Sequence, residues 1–341
     1  MTPRCTYLFP IGRVRPCDEE MEDLAEYFHM LNAAGCEVLV VDASPPDVFA
    51  LHDEQWDALC RHVPLDSRYH HPDDKVNAIH TGIDLAAGEL IIVGEDDIRY
   101  TWNDIDRMCV LLERHEMVLP QNYLSSLPWW ACIEAAGMLI NRRMLATGDS
   151  SGTFAFRRST MVQIGHYDGD ALFDAAHGAQ YFALKGAKVV SARSFFVQKE
   201  PPALHTWLEQ RPYQALKELG TDWERRLFLA LPPVGVLLGI VGGWVAVLLY
   251  GVVIGAVSIA LASLGRREGA QRFFPESIPL WAPLWVLERS ISLYLALYLH
   301  VGQGEHPFSG RVGGRKEWHA WVARRRVPLH ATEGTSGKSG K

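Results

Sequence analysis

The feature that most constrains this chain is a run of 39 residues without a charged side chain, from Leu227 to Gly265. One crossing of the ~30 Å hydrocarbon core of a bilayer takes about 20 residues, so the run is about twice as long as one span requires. Gly242 and Gly243 lie near its middle, and arginines flank both ends. Because positive flanks favour the cytoplasmic side, we expect a hairpin of two membrane-spanning helices. The alternatives are one long tilted helix and a buried apolar hairpin of a soluble protein.

Charge is divided unevenly about this run. Residues 1–226 carry 21 Lys and Arg against 34 Asp and Glu, whereas residues 227–341 carry 12 against 6. An acidic front is therefore joined to a basic back. The acidic front argues against nucleic acid as a partner, and the basic back suits the cytoplasmic face of a membrane.

The same boundaries divide the chain into four segments. We expect a cytosolic domain over residues 1–226, the transmembrane hairpin over 227–265, an interfacial helix with a basic membrane-proximal region over 266–332, and a disordered tail over 333–341. The apolar stretch 278–301 holds Glu288 and Arg289 near its middle. Because charges in mid-membrane are costly, this stretch is expected to lie in the interface or to pack on the hairpin.

Strand and helix signals alternate in the front half. Apolar runs at 6–11, 37–41 and 90–93 are typical of strands, and helical spacing covers 17–34, 46–60 and 76–87. This alternation predicts an α/β domain with a mainly parallel, Rossmann-like sheet and helices on both faces. Ligands of such sheets bind beyond the carboxyl ends of the strands. Asp42 and the acidic run Glu95, Asp96 and Asp97 follow two of the predicted strands.

Three consecutive acids repel one another unless a positive group neutralises them. A divalent ion such as Mg²⁺ or Mn²⁺ is a natural partner, because it prefers carboxylate, water and phosphate oxygens. The alternative is a polar turn whose acids face water. The 14 histidines show no ligand spacing, the six cysteines form no C-x-x-C pair, and no nucleotide-binding glycine fingerprint occurs.

The run from Lys75 to Asp97 resembles the family-two inverting glycosyltransferases of the GT-A fold. It contains a lysine, a helix with small residues, Gly88-Glu89, an apolar strand and then the acids, in the place of the family's metal-binding D-x-D. Residues 40–44, 152–158 and 165–168 are similar to further motifs of the family, so the resemblance covers about residues 5–215 in order. With the attached hairpin, the chain is most similar to the ceramide glucosyltransferase-like branch.

This resemblance implies a role for each acidic strand end. Asp42 is expected to accept from the base or ribose of a nucleotide sugar, and Lys75 to lie close to the nucleotide. Asp97 and Glu95 are expected to hold a Mg²⁺ or Mn²⁺ ion on the diphosphate, and Asp96 is expected to be a further contact of the nucleotide sugar. Glu95 departs from the family's aspartate, which makes Asp97 the stronger metal ligand.

The resemblance also implies a general base and a late basic motif. Counting back from the turn at Gly186 makes Asp174 the candidate base, with Asp170 as the alternative, although only one acid of the family's pair remains. Gln210 and Arg211 stand where the family has Q-x-x-R-W, and Arg211 is expected to contact the diphosphate. The chain lacks the motif's later Arg and Trp.

These residues predict a membrane-attached, metal-assisted glycosyltransferase that moves a sugar from a nucleotide-sugar donor to a membrane lipid with inversion. Its localisation is expected to be the cytoplasmic membrane, with the catalytic domain on the cytosolic side. Two alternatives remain open: a transferase acting on polyprenyl phosphate or a polysaccharide, and a catalytically degenerate GT-A membrane scaffold.

Overall fold

A computed structural model describes residues 3–13, 18–71, 74–150, 152–165, 175–218 and 222–303. The chain divides into two compact units. The first, the sheet unit, takes the described residues that fall within 3–122 and 146–198; the second, the helical unit, takes those that fall within 123–145 and 199–303.

The sheet unit is built on an eight-stranded sheet. The strands are β1 (Cys5–Ile11), β2 (Cys36–Asp42), β3 (Arg61–Pro64), β4 (Leu90–Val93), β5 (Ile98–Arg99), β6 (Met117–Leu124), β7 (Phe154–Arg157) and β8 (Val189–Lys199), in the order β3-β2-β1-β4-β7-β6-β8-β5. β1 pairs in parallel with β2 and with β4, and β2 with β3. β7 is antiparallel to β4 and to β6. The carboxyl ends of β1, β2, β3 and β4 therefore lie at one edge.

Helices cover both faces of this sheet, because residues alternate sides along each strand. The helices of the unit are α1 (Asp18–Ala33), α2 (Pro46–Trp56), α3 (Asp74–Leu85), α4 (Trp102–Leu112), α6 (Arg158–Ile164) and α7 (Ala175–Leu184), with α5 (Trp129–Met144) in the helical unit. Val38 and Val40 pack in the core with α1 and α4, whereas Leu39 and Val41 pack in the core with α3. The predicted α/β class, mainly parallel with two covered faces, is confirmed.

Several element bounds differ from those that the sequence pattern predicts. The helix expected to reach residue 60 ends at Trp56, and four residues lead from it to β3, a strand with only half-buried or exposed residues and no apolar run. The strand signal at Met117–Leu119 predicts a strand that ends before Asn122, but β6 continues to Leu124, so Asn122 lies inside the strand. Polar side chains hide both segments from a hydrophobicity pattern.

The helical unit contains α5, α8 (Leu204–Glu218), α9 (Asp222–Gly265) and α10 (Ala282–Gln303), with short 3₁₀ turns at Ala270–Arg272 and Ile278–Trp281. α10 packs on α5, α8 and α9. Arg289, near the middle of α10, is fully buried within this unit.

The chain reverses direction inside α9. Gly243 has φ 67° and ψ −169°, which breaks the helix into two arms. Tyr250 donates its hydroxyl hydrogen to the carbonyl oxygen of Leu231 at 3.0 Å, although 19 residues of straight helix would separate them by about 28 Å. Gly239 lets the arms approach, since a Cβ there would lie 3.1 Å from Val247. We call residues 227–265 the apolar hairpin.

The apolar hairpin exposes large side chains. By length and composition α9, from Glu224 to Gly265, is the one helix of the described residues that could cross a membrane. Ile240, Val241 and Trp244 are each more than 75% exposed. Exposed apolar patches of this kind on a helix mark contact with a membrane or with another protein.

Candidate functional site

Three neighbouring parallel strands bring the sequence-predicted acids to one edge of the sheet. β1 lies between β2 and β4, so Gly12 and Arg13, which follow Ile11, lie between Asp42 and the acidic run 95–97. The backbone nitrogen of Arg13 donates to Ser44 Oγ at 2.9 Å. The Arg13 guanidinium donates to Asp96 Oδ2 at 2.7 Å. Arg13 therefore connects the ends of β2 and β4.

Lys75 reaches the acidic run from the first turn of α3. This helix packs closely on β1 because Gly82 has no side chain, and a Cβ there would overlap Leu8. The Lys75 ammonium forms a salt bridge with Glu95. On another side of Glu95 lies Gly152, whose φ is 76° and whose Cβ, if present, would overlap the carboxylate. Lys75 therefore lies beside the acidic run, and its contact with a nucleotide stays a prediction.

Cations of the chain itself offset much of the charge of the acidic run. Lys75 pairs with Glu95, and Arg13 pairs with both Glu20 and Asp96. Part of the positive charge expected beside the three acids therefore comes from Lys75 and Arg13, two partners that are distant in the sequence. The Asp96 side chain remains 51% exposed, so the edge stays accessible to a ligand.

The acidic run nevertheless fits a hard divalent ion. Asp96 is exposed, Glu95 and Asp97 are partly exposed, and all three supply carboxylate oxygens, which Mg²⁺ and Mn²⁺ prefer. The short β4 is followed by Gly94, at which a Cβ would overlap Tyr7. The chain can therefore pass close to Tyr7 before the three carboxylates.

Asp42 has a different environment from the acidic run. Its Oδ2 accepts from His52 Nδ1 at 2.7 Å and from His62 Nε2 at 3.1 Å, and its Oδ1 accepts from the Ser44 nitrogen at 2.7 Å. The side chain has no exposed surface. A nucleotide could contact this carboxylate only by displacing one of these donors. Direct nucleotide binding by Asp42 stays a prediction.

Hydrogen bonds within this cluster also change the pKa values of Asp42 and His62. Burial opposes ionisation of Asp42, but the hydrogen bonds from His52, His62 and Ser44 outweigh it and lower the pKa of the carboxyl well below its usual range. His62 Nδ1 donates to Asp53 at 2.9 Å. Burial acts to lower the pKa of His62, but the two carboxylates raise it above its usual value.

Sequence reasoning missed His52 and His62, because it searched for ligand spacing along the chain. His52 lies on α2 and His62 on β3, and the crossover from β2 through α2 to β3 brings them back to Asp42. Their donor atoms and an Asp42 oxygen all lie within 4.8 Å of one another. The available signal was topological, since β3 is parallel to β2 and places His62 beside Val40.

Arg211 is held inside the helical unit. Its guanidinium donates to Glu134 at 2.6 Å and also contacts the Trp207 carbonyl and Gln214. Burial acts to raise the pKa of Glu134, but Arg211 and Arg289 lower it below its usual value. Gln210 accepts from Gln214 at 3.1 Å. These contacts occupy donors of Arg211, and its contact with a diphosphate stays a prediction.

Both candidate bases, Asp170 and Asp174, lie outside the described residues. The motif turn at residues 165–168 is described only at Gly165, which ends α6 with φ 85°. The role of either aspartate as general base therefore stays a prediction.

Several solved structures are similar to more than half of this chain. The chain is similar to a mannosyltransferase from Pyrobaculum calidifontis in complex with GDP-Man and Mn²⁺, with 16% identity, coverage of 86% of this chain and 88% of that one, and a TM-score of 0.47. It is also similar to glucosyl-3-phosphoglycerate synthase from Mycobacterium tuberculosis in complex with Mn²⁺, UDP and glucosyl-3-phosphoglycerate, with 13% identity, 62% and 78% coverage, and a TM-score of 0.42.

A third similar structure is a putative nucleotide-diphospho-sugar transferase from Desulfovibrio desulfuricans G20, with 7% identity, 59% and 82% coverage, and a TM-score of 0.33. No protein-family model and no curated protein matches the chain. All three TM-scores lie below 0.5.

Proposed function

We propose that this chain is a membrane-attached, metal-assisted glycosyltransferase that takes its sugar from a nucleotide-sugar donor and passes it to a membrane lipid with inversion. The observation that carries the proposal is the acidic run Glu95–Asp97, which follows a buried strand and is partly exposed beside Lys75 and Arg13. A carboxylate run with adjacent cations suits a ligand that carries both a divalent ion and a diphosphate.

In this proposal the acids hold the ion and the cations hold phosphate oxygens. Asp97 and Glu95 bind Mg²⁺ or Mn²⁺, with Asp96 at the exposed side. Lys75 exchanges part of its salt bridge with Glu95 for a contact to the donor, close to the nucleotide. When bound, the ion acts as a Lewis acid that stabilises the negative charge of the leaving diphosphate.

The acceptor half of the proposal rests on the apolar hairpin. Its arms, residues 227–242 and 244–265, hold 16 and 22 residues, close to the ~20 that cross a ~30 Å hydrocarbon core, and their large apolar side chains are exposed. An acceptor that resides in the membrane would be concentrated beside an enzyme anchored there. Asp174, or Asp170 in its place, removes the hydroxyl proton of that acceptor as the sugar is transferred.

The second candidate function is a scaffold with a glycosyltransferase fold but no activity. It is favoured by the contacts of Arg211, whose donors bind Glu134, Gln214 and a backbone carbonyl. It is also favoured by the single acid that remains of the family's pair.

The two functions are separated by transfer in membranes that contain the full-length chain. Radiolabelled UDP- and GDP-sugars are supplied with Mn²⁺, and the labelled product is identified by mass. The enzyme predicts a labelled lipid that Asp97→Ala abolishes, with Asp57→Asn, an exposed acid on the segment after α2, as the control. The mass also distinguishes a neutral lipid from a polyprenyl phosphate. Absence of labelled product with every donor, or undiminished product with Asp97→Ala, contradicts the proposal.

A further inference from the structure

The Asp42 cluster has the composition of a transition-metal site and supplies no ligand to the ion of the proposed donor site. It combines one carboxylate oxygen with two imidazole nitrogens, and these three atoms lie within 4.8 Å of one another. Imidazole suits Zn²⁺, Fe²⁺, Ni²⁺ and Cu²⁺, whereas Mg²⁺ and Mn²⁺ prefer oxygen ligands. This cluster and the acidic run therefore differ in the ions that they select.

The distances in the cluster are close to those between adjacent ligands of one ion. Asp42 Oδ2 lies 2.7 Å from His52 Nδ1 and 3.1 Å from His62 Nε2. Bonds of about 2.0–2.1 Å from an ion to oxygen and nitrogen place neighbouring ligand atoms about 3 Å apart. Asp42 Oδ2 is thus about as far from each histidine nitrogen as two ligand atoms of the same ion are from one another.

A second contact orients His62 as metal-binding histidines are oriented. Its other ring nitrogen, Nδ1, donates to Asp53 at 2.9 Å. A histidine that binds a metal typically donates its other N–H to a carboxylate, which fixes the ring and makes the ligand more basic. Asp53 is therefore in the place of the supporting carboxylate.

Packing fixes both rings before any ion binds. His52 stacks on Trp56 with centroids 4.6 Å apart, and His62 stacks on Phe49 at 4.1 Å. Asp42 and His52 are at most 2% exposed. An ion held here is enclosed by protein, so it connects chain segments and does not meet a substrate.

We propose that Asp42, His52 and His62 form a second metal site, distinct from the acidic run, that binds a first-row transition ion such as Zn²⁺ and ties the end of β2 to α2 and β3. Asp42 then acts through Ser44 and Arg13, whose bonds continue to Asp96. In this assignment Asp42 supports the donor site and does not contact the nucleotide. The proposal does not depend on the proposed function, because its test measures metal binding alone.

The test uses the full-length protein in detergent, stripped with a chelator and then loaded with Zn²⁺ or Co²⁺ in the presence of excess Mg²⁺. Bound metal is measured by mass spectrometry after desalting, and Co²⁺ ligation is measured by visible absorption. We expect one tightly held Zn²⁺ or Co²⁺ ion in the wild type and in Asp97→Ala, and its loss in His52→Ala.

A surface substitution keeps the test decisive even if His52→Ala fails to fold. The Asp53 side chain is 55% exposed, so Asp53→Asn removes the support of His62 without opening the core. Loss of such a carboxylate weakens metal affinity by about 10–100-fold. Asp57→Asn, an exposed acid nearby, should keep wild-type affinity. Absence of a tightly held ion in the wild type, its loss in Asp97→Ala, or wild-type affinity in Asp53→Asn would overturn the proposal.

Discussion

Asp42 is the last residue of β2 and the acidic run 95–97 comes after β4, the two strands on either side of β1, yet their environments are opposite. Asp42 has no exposed side-chain surface and binds two histidines that aromatic rings hold in place. Asp96 is half exposed, and its partner is the long side chain of Arg13. One sheet edge therefore carries an enclosed carboxylate, suited to holding the chain together, and open ones, suited to binding a ligand.

Glu134 of the helical unit is itself 22% exposed, but its cationic partner is enclosed. It accepts from Arg211 and from the Trp207 indole, and the Arg211 side chain is only 5% exposed. The sequence predicts that Arg211 contacts the diphosphate, but its contacts resemble those of the Asp42 cluster more than those of Lys75. The comparison predicts that carboxylates with enclosed partners determine stability and that carboxylates with exposed partners determine activity.

The largest expected effect is on stability at Glu134. Glu134→Gln leaves the buried Arg211 charge without its anion, which costs about 3–5 kcal/mol in the free energy of unfolding. Because the folded pKa of Glu134 is lowered, its contribution is present above the unfolded pKa and is lost as pH falls through the folded value. Thermal unfolding of detergent-solubilised protein from pH 3 to pH 7 measures both effects.

Asp96→Asn is the matched control for Glu134→Gln. It removes a half-exposed anion whose partner, Arg13, is 26% exposed and keeps its pair with Glu20, and such surface pairs contribute about 0–1 kcal/mol. Equal losses of stability in the two variants would contradict the division into carboxylates with enclosed and with exposed partners.

The next effect is on activity at Lys75. Lys75→Met removes the cation beside Glu95, and loss of one preorganised electrostatic contact lowers the rate by about 10²–10³-fold. The Lys75 side chain is 29% exposed, so we expect a small change in thermal stability. Steady-state kinetics with saturating Mn²⁺ measure the effect. Lys75→Arg should retain more activity than Lys75→Met, and equal loss in both would argue against a charge contact.

The smallest expected effect is that of Gly152→Ala. Comparison with Gly186→Ala separates the cost of backbone strain from displacement of the Glu95 carboxylate. Gly152→Ala imposes a left-handed conformation on alanine, at about 1–2 kcal/mol, and pushes its Cβ into the Glu95 carboxylate. Gly186 has a similar φ of 84° with nothing within 4 Å of a Cβ, so Gly186→Ala carries the strain alone. We expect similar losses of stability but loss of transfer activity only in Gly152→Ala. Similar activities in both variants would show that Glu95 need not stay in position.

The features that the sequence predicts correctly depend on the hydrophobic pattern and on the topology of parallel strands. The apolar runs before Asp42 and Glu95 give buried strands, and their alternation with helices places both ends at one edge, as the structure has it. The reversal at Gly243 follows from two adjacent glycines in an apolar run of twice the spanning length. Such features need only local composition and length.

Contacts between distant segments could not be read from the sequence. The pairing of Arg13 with Asp96 joins residues 83 positions apart, and the return of His62 to Asp42 requires knowing that β3 lies beside β2. None of the four residues of β3 is fully buried, so this strand needs no run of apolar residues. Without that strand, the histidines have no pattern that distinguishes them from surface residues.

Nucleotide binding tests most directly whether the acidic run holds the donor's diphosphate through a divalent ion. Calorimetric titration of the full-length protein with UDP and with GDP is performed with Mn²⁺ and with EDTA, for the wild type and for Asp97→Ala. The account predicts binding of at least one nucleotide by the wild type with Mn²⁺, and loss of that binding with EDTA or in Asp97→Ala. Equal affinity with and without the metal, or unchanged binding in Asp97→Ala, would contradict it.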